Sequence, residues 1–131
     1  MTTPARVTFQ PITYPTDHRG WVLEPLTPDE FPEQKNAHLV LTAPGCIRGN
    51  HYHVAGTEIS VVIGPALVRY RDGDCLRDHA LAPGEAVRFV FPAGIAHAVK
   101  NTGDAPQIII SFNTAEHDRA KPDVVRDVLI E

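Results

Sequence analysis

Apolar and polar positions alternate along this chain in short runs, and turn residues cut the runs at close intervals. Arg6–Pro11, Trp21–Leu26, Ala37–Thr42, Ile47–His53, Glu58–Ile63 and Ala66–Arg71 each read as a strand. So do Cys75–Ala80, Ala86–Phe91, Ile95–Lys100 and Gln107–Asn113. Turn chemistry separates them at Asp72-Gly73-Asp74, Ala82-Pro83-Gly84, Pro92-Ala93-Gly94 and Thr102-Gly103-Asp104. Many short strands at this spacing predict an all-β sandwich or barrel. Only two segments leave room for anything else. Pro28–Gln34 can form a turn or two of helix, and Asp123–Ile130 a short terminal helix or an extra strand, while Ala115–Asp123 is polar and reads as a loop.

Several strands are apolar on both faces: Ile59, Val61 and Ile63 alternate with Ser60 and Val62. A wall with one solvated face should be apolar on the other alone, so something must cover the second face. A second subunit is the expected cover, which makes a homodimer the default. At 131 residues the chain forms one domain, long enough to bury roughly 65–70% of its unfolded surface. Its core is expected at about 37–114, with N-terminal strands within 5–26 and the tail 115–131 packed onto it.

The net charge of −4 and the lack of any Lys/Arg run argue against nucleic acid as a partner. A phosphorylated small molecule stays open, because a few local arginines suffice to hold one. Cys46 and Cys75 show no ligand-like spacing and read as reduced thiols of a cytoplasmic protein. No basic-then-apolar leader and no apolar run of membrane-spanning length is present, so no membrane role is expected.

The chemistry concentrates in His51-Tyr52-His53, with Glu58 downstream and His97 far downstream. Side chains repeat every two residues along a strand, so His51 and His53 share a face and Tyr52 points to the other. Glu58 and Ser60 share one parity, and Ile95, His97 and Val99 another, so each candidate can face one interior. Three neutral imidazoles and one carboxylate suit a single divalent metal ion of the zinc, iron, manganese or nickel kind. His51, His53, Glu58 and His97 are therefore the candidate metal ligands. His38 lies on the preceding strand and is a candidate for the same pocket. His18, His79 and His117 sit in turn-like or polar contexts and read as surface residues.

The spacing Gly45-x5-His51-x-His53-x4-Glu58-x5-Gly64, followed by Gly84-x7-Pro92-x-Gly94-x2-His97-x3-Asn101, resembles the two motifs of the cupin superfamily. That resemblance covers roughly Pro44 to Asn113 and implies a single-domain double-sheet jelly roll with metal in its mouth. Asp17-His18-Arg19-Gly20-Trp21-Val22-Leu23-Glu24 is similar to a segment of dTDP-4-dehydrorhamnose 3,5-epimerases, which implies that Arg19 and Glu24 bind the nucleotide. Arg48-Gly49-Asn50-His51 resembles the stretch that carries the base of the same enzymes, implying a substrate-binding Arg48 and a catalytic His51. The longer string Ile47–His53 with Thr57-Glu58, together with Asn101-Thr102-Gly103-Asp104 and Lys121-Pro122-Asp123, is similar to the cupin domains of capsular-polysaccharide enzymes acting on UDP-4-keto sugars.

The implied activity is epimerisation or isomerisation of a nucleotide-linked keto-deoxysugar, through removal of a proton next to a ketone. A histidine that ligates metal is no free base, so His38 or a metal-bound hydroxide would have to serve. The rhamnose-type enzymes use a late tyrosine as acid, whereas Ile108–Thr114 holds none, which leaves Tyr70, inward with Ala66 and Val68, as a catalytic candidate. Two other functions fit the same ligand set: a metal-dependent dioxygenase, and a non-catalytic cupin that binds a sugar or carboxylate.

Overall fold

The computed structural model describes residues 6–131, so residue 5, the expected start of the N-terminal strands, lies outside it. Among the described residues twelve strands form, numbered in chain order: β1 (Thr8–Ile12), β2 (Thr16–Asp17), β3 (Gly20–Trp21), β4 (Asn36–Thr42), β5 (Ile47–His53), β6 (Glu58–Ile63), β7 (Ala66–Asp72), β8 (Cys75–Leu81), β9 (Ala86–Phe91), β10 (His97–Asn101), β11 (Gln107–Asn113) and β12 (Val124–Arg126). One five-stranded sheet runs β1-β9-β6-β11-β4 and a second runs β12-β5-β10-β7-β8, with β2 and β3 as a small hairpin. Every pairing is antiparallel. The expected all-β, double-sheet architecture is what the chain adopts. Among the described residues no helix is long and apolar enough to cross a membrane.

Three elements differ from expectation. Trp21–Leu26 is not a continuous strand: only Gly20–Trp21 pairs, in the β2–β3 hairpin, and the chain then crosses the first sheet irregularly. Pro28–Gln34 yields a single 3-10 turn, Phe31–Glu33, with a proline in its first turn. Of the two options for Asp123–Ile130 the strand wins over Val124–Arg126, because β5 offers an open edge to pair with.

The core lies between the sheets. Val62, Phe89, Phe91 and Ile109 of the first meet Val68, Tyr70 and Val99 of the second, all buried. The second sheet also has an apolar outer face, where Ala96 and Ala98 pack under Leu129 and Ile130 of the tail, with Tyr52 at the margin. On the first sheet Ile59 and Val61 are likewise buried on the outer face. The N-terminal segment crosses there: Leu26 is buried, and Arg88, the cross-strand partner of Val61, donates to the Pro25 carbonyl. The chain thus covers these second faces itself, so the two-faced pattern of β6 does not by itself demand a second subunit. Leu39, Leu41 and Ile108, at the β4 edge, stay exposed.

The tail is held by one residue inside the metal-like motif. Asn50 sits in the left-handed region at φ 57°. Its side-chain oxygen accepts the amides of Leu129 (2.9 Å) and Ile130 (3.1 Å), and its amide donates to the Ile130 carbonyl (2.9 Å). Asparagine is among the few residues that tolerate this conformation. Asn50→Ala removes all three contacts and adds backbone strain, and should cost about 2 kcal/mol. Urea unfolding checks the loss, and carboxypeptidase should release tail residues faster from the variant than from the wild type.

Candidate metal centre

His51 and His53 come from β5, Glu58 opens β6 and His97 opens β10. One donor atom from each lies within 4.8 Å of all the others. His53 Nε2 is 3.1 Å from Glu58 Oε1, and His97 Nε2 is 2.8 Å from Glu58 Oε2. The carboxylate also accepts from the Ser60 hydroxyl (3.0 Å), which contacts Ser111 Oγ at 2.8 Å. Phe91 stacks on the His97 ring at 4.1 Å. The ring is thereby held in one plane, and His97 Nδ1 lies 3.0 Å from the Ile95 carbonyl.

A β-bulge creates the cavity in front of these groups. His97 pairs with His51, but Ala98 pairs with Gly49, so Asn50 is an extra residue in β5. A bulge shifts the face on which side chains emerge. Arg48, opposite the inward Val99, therefore faces the same cavity as His51, although strict alternation would put the two on opposite faces. At Gly49 (φ +84°) a Cβ would lie 2.7 Å from the His97 carbonyl oxygen, so the close approach excludes any other residue. The cavity, about 260 Å3, is lined by Arg48, His51, His97 and Ser111, with His38 at its rim. A second hollow, beyond His53, shares His38 and is lined by His117, Glu116 and Asp123.

The donor set fits a cation. A carbonyl can only accept, so His97 Nδ1 carries a proton. Nε2 is buried without a hydrogen-bond partner. It faces Glu58 Oε2 at 2.8 Å, a contact that is favourable only with a proton or a metal ion between the two atoms. Burial, reinforced by the charge of His97, lowers the His51 pKa to about 4, so this ring is neutral and able to ligate at neutral pH. Burial opposes ionisation of Glu58, yet the hydrogen bond from His53 and the adjacent His97 ring hold it well below the usual carboxylate range. Burial likewise works against a charged His53, but the hydrogen bond and charge of Glu58 shift its pKa upward on balance. The pocket is built around one buried negative charge that calls for a proton or a metal ion.

A family model for the polysaccharide biosynthesis C-terminal domain matches residues 15–125. The chain belongs to this family. Comparison with curated proteins gives no significant match. Among solved structures, the capsular polysaccharide assembling protein CapF from Staphylococcus aureus is similar at a TM-score of 0.66 and 22% identity. That match covers 73% of this chain and 27% of CapF, so the chain spans about a quarter of that protein's length. A dTDP sugar isomerase from Desulfovibrio desulfuricans G20 superposes at a TM-score of 0.77 and 18% identity, over 92% of this chain and 82% of the other. QdtA, a sugar 3,4-ketoisomerase from Thermoanaerobacterium thermosaccharolyticum in complex with TDP, does so at 0.70 and 14%, over 92% and 88%. At these identities the likeness shows the fold, a cupin-like sandwich.

Within this family frame the predicted residues fall into two groups. His51, His53, Glu58 and His97 converge, with His38 and Arg48 beside them. Arg19, Glu24 and Tyr70 do not join them. Arg19 is exposed on the β2–β3 hairpin and pairs with Asp17, and Glu24 contributes its carbonyl to Arg88. Arg19 lines a separate shallow hollow with Trp21 and Val22. Tyr70 does face inward, but its ring packs on Phe91 and its hydroxyl meets His79 Nε2 at 3.3 Å, away from the ligand cluster. His79 is itself no surface residue: Phe9, Tyr70 and Phe89 enclose it. Ser111 and Asp123 went unread as site residues, since lone polar residues in a strand and after a proline carry no periodic signal.

Two outcomes test the centre. His97→Ala should lower zinc affinity at least 100-fold, read by competition with a chromogenic chelator, because one of four candidate ligands is lost. The pH dependence should also change sign with metal. In the metal-free protein, raised His53 contributes stability that is complete below about pH 6.5 and is lost as pH rises through its folded pKa. Zinc needs that ring neutral, so the zinc-loaded protein should gain stability over the same rise. Melting temperatures across about pH 7–8.5, above the range in which the lowered His51 pKa adds stability with rising pH, should therefore slope in opposite directions with and without zinc.

Proposed function

We propose that the chain is a metal-dependent isomerase or epimerase of a nucleotide-linked keto-sugar. The observation that carries this reading is His38. It is an imidazole outside the candidate ligand set, on the rim of the cavity that His51, Glu58, His97 and Arg48 line. Its Nδ1 lies 3.0 Å from Asn36 Oδ1, which selects the tautomer with a proton on Nδ1 and a free lone pair on Nε2. A neutral imidazole at a cavity mouth is suited to take a proton from carbon and return it.

A divalent ion held by His51, His53, Glu58 and His97 would supply the Lewis-acid charge that makes a proton next to a ketone acidic. The chain's own residues do the rest. Arg48 is fixed by donating to the Leu41 carbonyl at 2.7 Å, and its remaining donors can meet a diphosphate. Val40, Val99 and Ile109 form an apolar wall that keeps water from the reacting carbon. The cavity is slightly below the roughly 300–1,000 Å3 typical of small-molecule pockets. It therefore admits the sugar and leaves the nucleotide at the rim, on the Arg48 side. The described functions of the similar structures, a dTDP sugar isomerase and a sugar 3,4-ketoisomerase holding TDP, support the same substrate class.

Incubation of zinc- or manganese-loaded protein with dTDP- and UDP-4-keto-6-deoxy sugars in D2O tests the reading by NMR. Deuterium should enter at a carbon next to the ketone, and His38→Ala should slow that entry at least 100-fold while metal content is unchanged. Metal-replete protein that exchanges no such proton would sink the proposal. Oxygen uptake by the iron form would point instead to a dioxygenase.

A further inference from the structure

The chain must pass from His53 to Glu58, one candidate ligand to the next, through only Val54, Ala55, Gly56 and Thr57. This link is shaped by a residue near the other end of the sequence. Asp123 Oδ1 accepts the amides of Val54 (3.1 Å) and Ala55 (3.0 Å), and Oδ2 accepts that of Gly56 (2.9 Å). The Asp123 carbonyl takes Val54 N as well, at 3.0 Å, where β12 begins to pair with β5. The fourth amide, Thr57, goes to Thr114 Oγ1 at 3.0 Å. Gly56 admits no side chain, because a Cβ there would lie 2.0 Å from Asn113 Oδ1. Every amide of the link is thus committed, three of them to one carboxylate.

The same carboxylate addresses a candidate ligand. Asp123 Oδ2 lies 3.9 Å from His53 Nδ1, the ring nitrogen remote from Glu58. Closure by about 1 Å brings that pair into ordinary N–H···O range. Histidines that bind metal nearly always donate their other ring N–H to a carboxylate or carbonyl, which fixes the tautomer and raises ligand basicity. His97 has the Ile95 carbonyl for this purpose, and the acceptor within reach of His53 is Asp123. Charge agrees: a divalent ion with Glu58 alone leaves one positive charge in a poorly solvated pocket, and a second carboxylate neutralises it.

We propose that Asp123 is a positioning residue of the metal centre, orienting His53 through Nδ1–H and setting the link that delivers Glu58. The proposal rests on the metal reading of the site. Zinc affinity and the visible spectrum of the cobalt(II) form, measured for wild type, Asp123→Asn and Asp127→Asn, test it. Asp123→Asn keeps an oxygen for Val54 and Ala55 but places an amide nitrogen or a neutral oxygen before His53. It should weaken zinc binding 10–100-fold and shift the cobalt bands. Asp127→Asn breaks only the pair of the tail with Arg71 and should leave both readouts at wild-type values. A folded Asp123→Asn that binds zinc as tightly as wild type, with the same cobalt spectrum, would overturn the proposal while sparing the metal reading. Wild type that binds neither ion would overturn both. Should Asp123→Asn not fold, 15N spectra of the imidazoles in zinc-loaded wild type decide. A protonated Nδ1 on His53 that exchanges slowly with water supports the assignment, and zinc or no proton on that nitrogen refutes it.

Discussion

The bulge in β5 is the constraint on which the rest of this structure depends. Inserting Asn50 between two paired residues breaks the two-residue alternation once. On one side of the break Arg48 faces inward, and on the other side His51 and His53 do too. The extra residue itself is turned outward, where its side chain holds the C-terminal tail against the second sheet. Gly49 permits the bulge to lie directly on the His97 backbone. A single irregularity thus orders the cavity, the ligand pair and the tail together, which is the kind of use that β-bulges near functional sites commonly have.

The second organising feature is a buried carboxylate without a full complement of protons around it. Glu58 is clasped by two imidazoles and a serine hydroxyl, and burial of its charge is tolerable only with positive charge close by. His53, Glu58 and His97 sit at the first or last residues of their strands, and His51 two residues before the end of β5. The deep core between the sheets is apolar from Val87 to Val68, so the polar cluster and the stability of the fold occupy different levels of one interior. This separation leaves the mouth free to carry chemistry while the layer beneath it carries packing.

Much of this was legible in the residues. Strand positions from Ala37 to Asn113 follow from short apolar runs and their turn residues, and β5, β6, β9 and β11 have the bounds that the pattern predicts. The convergence of His51, His53, Glu58 and His97 was legible because His-x-His, a later Glu and a far His must each obey strand parity. Trp21–Leu26 misled because Leu26 buries against a sheet without pairing while Trp21 and Val22 stay exposed, so apolar residues alone did not mark a strand there. Tyr70 differs: its parity was right and it pairs across from His97, but its ring packs on Phe91 and its hydroxyl meets His79. His79 read as polar surface, yet three aromatic rings surround it.

The sequence by itself determined an all-β double sheet, the location of the Glu58–histidine cluster and the inward face of each strand, since these depend on periodicities of two and on local turn chemistry. Tertiary structure alone decided what lies next to what across long separations. It brought Asp123 to the amides of Val54–Gly56, the tail to Asn50, and His38 to the rim beside Arg48. It also decided that the N-terminal segment and the tail cover faces that the pattern assigned to a second subunit. The reason is physical: alternation fixes the direction of a side chain relative to its own strand. Distance between segments is fixed only when the sheets pack and a bulge resets their register.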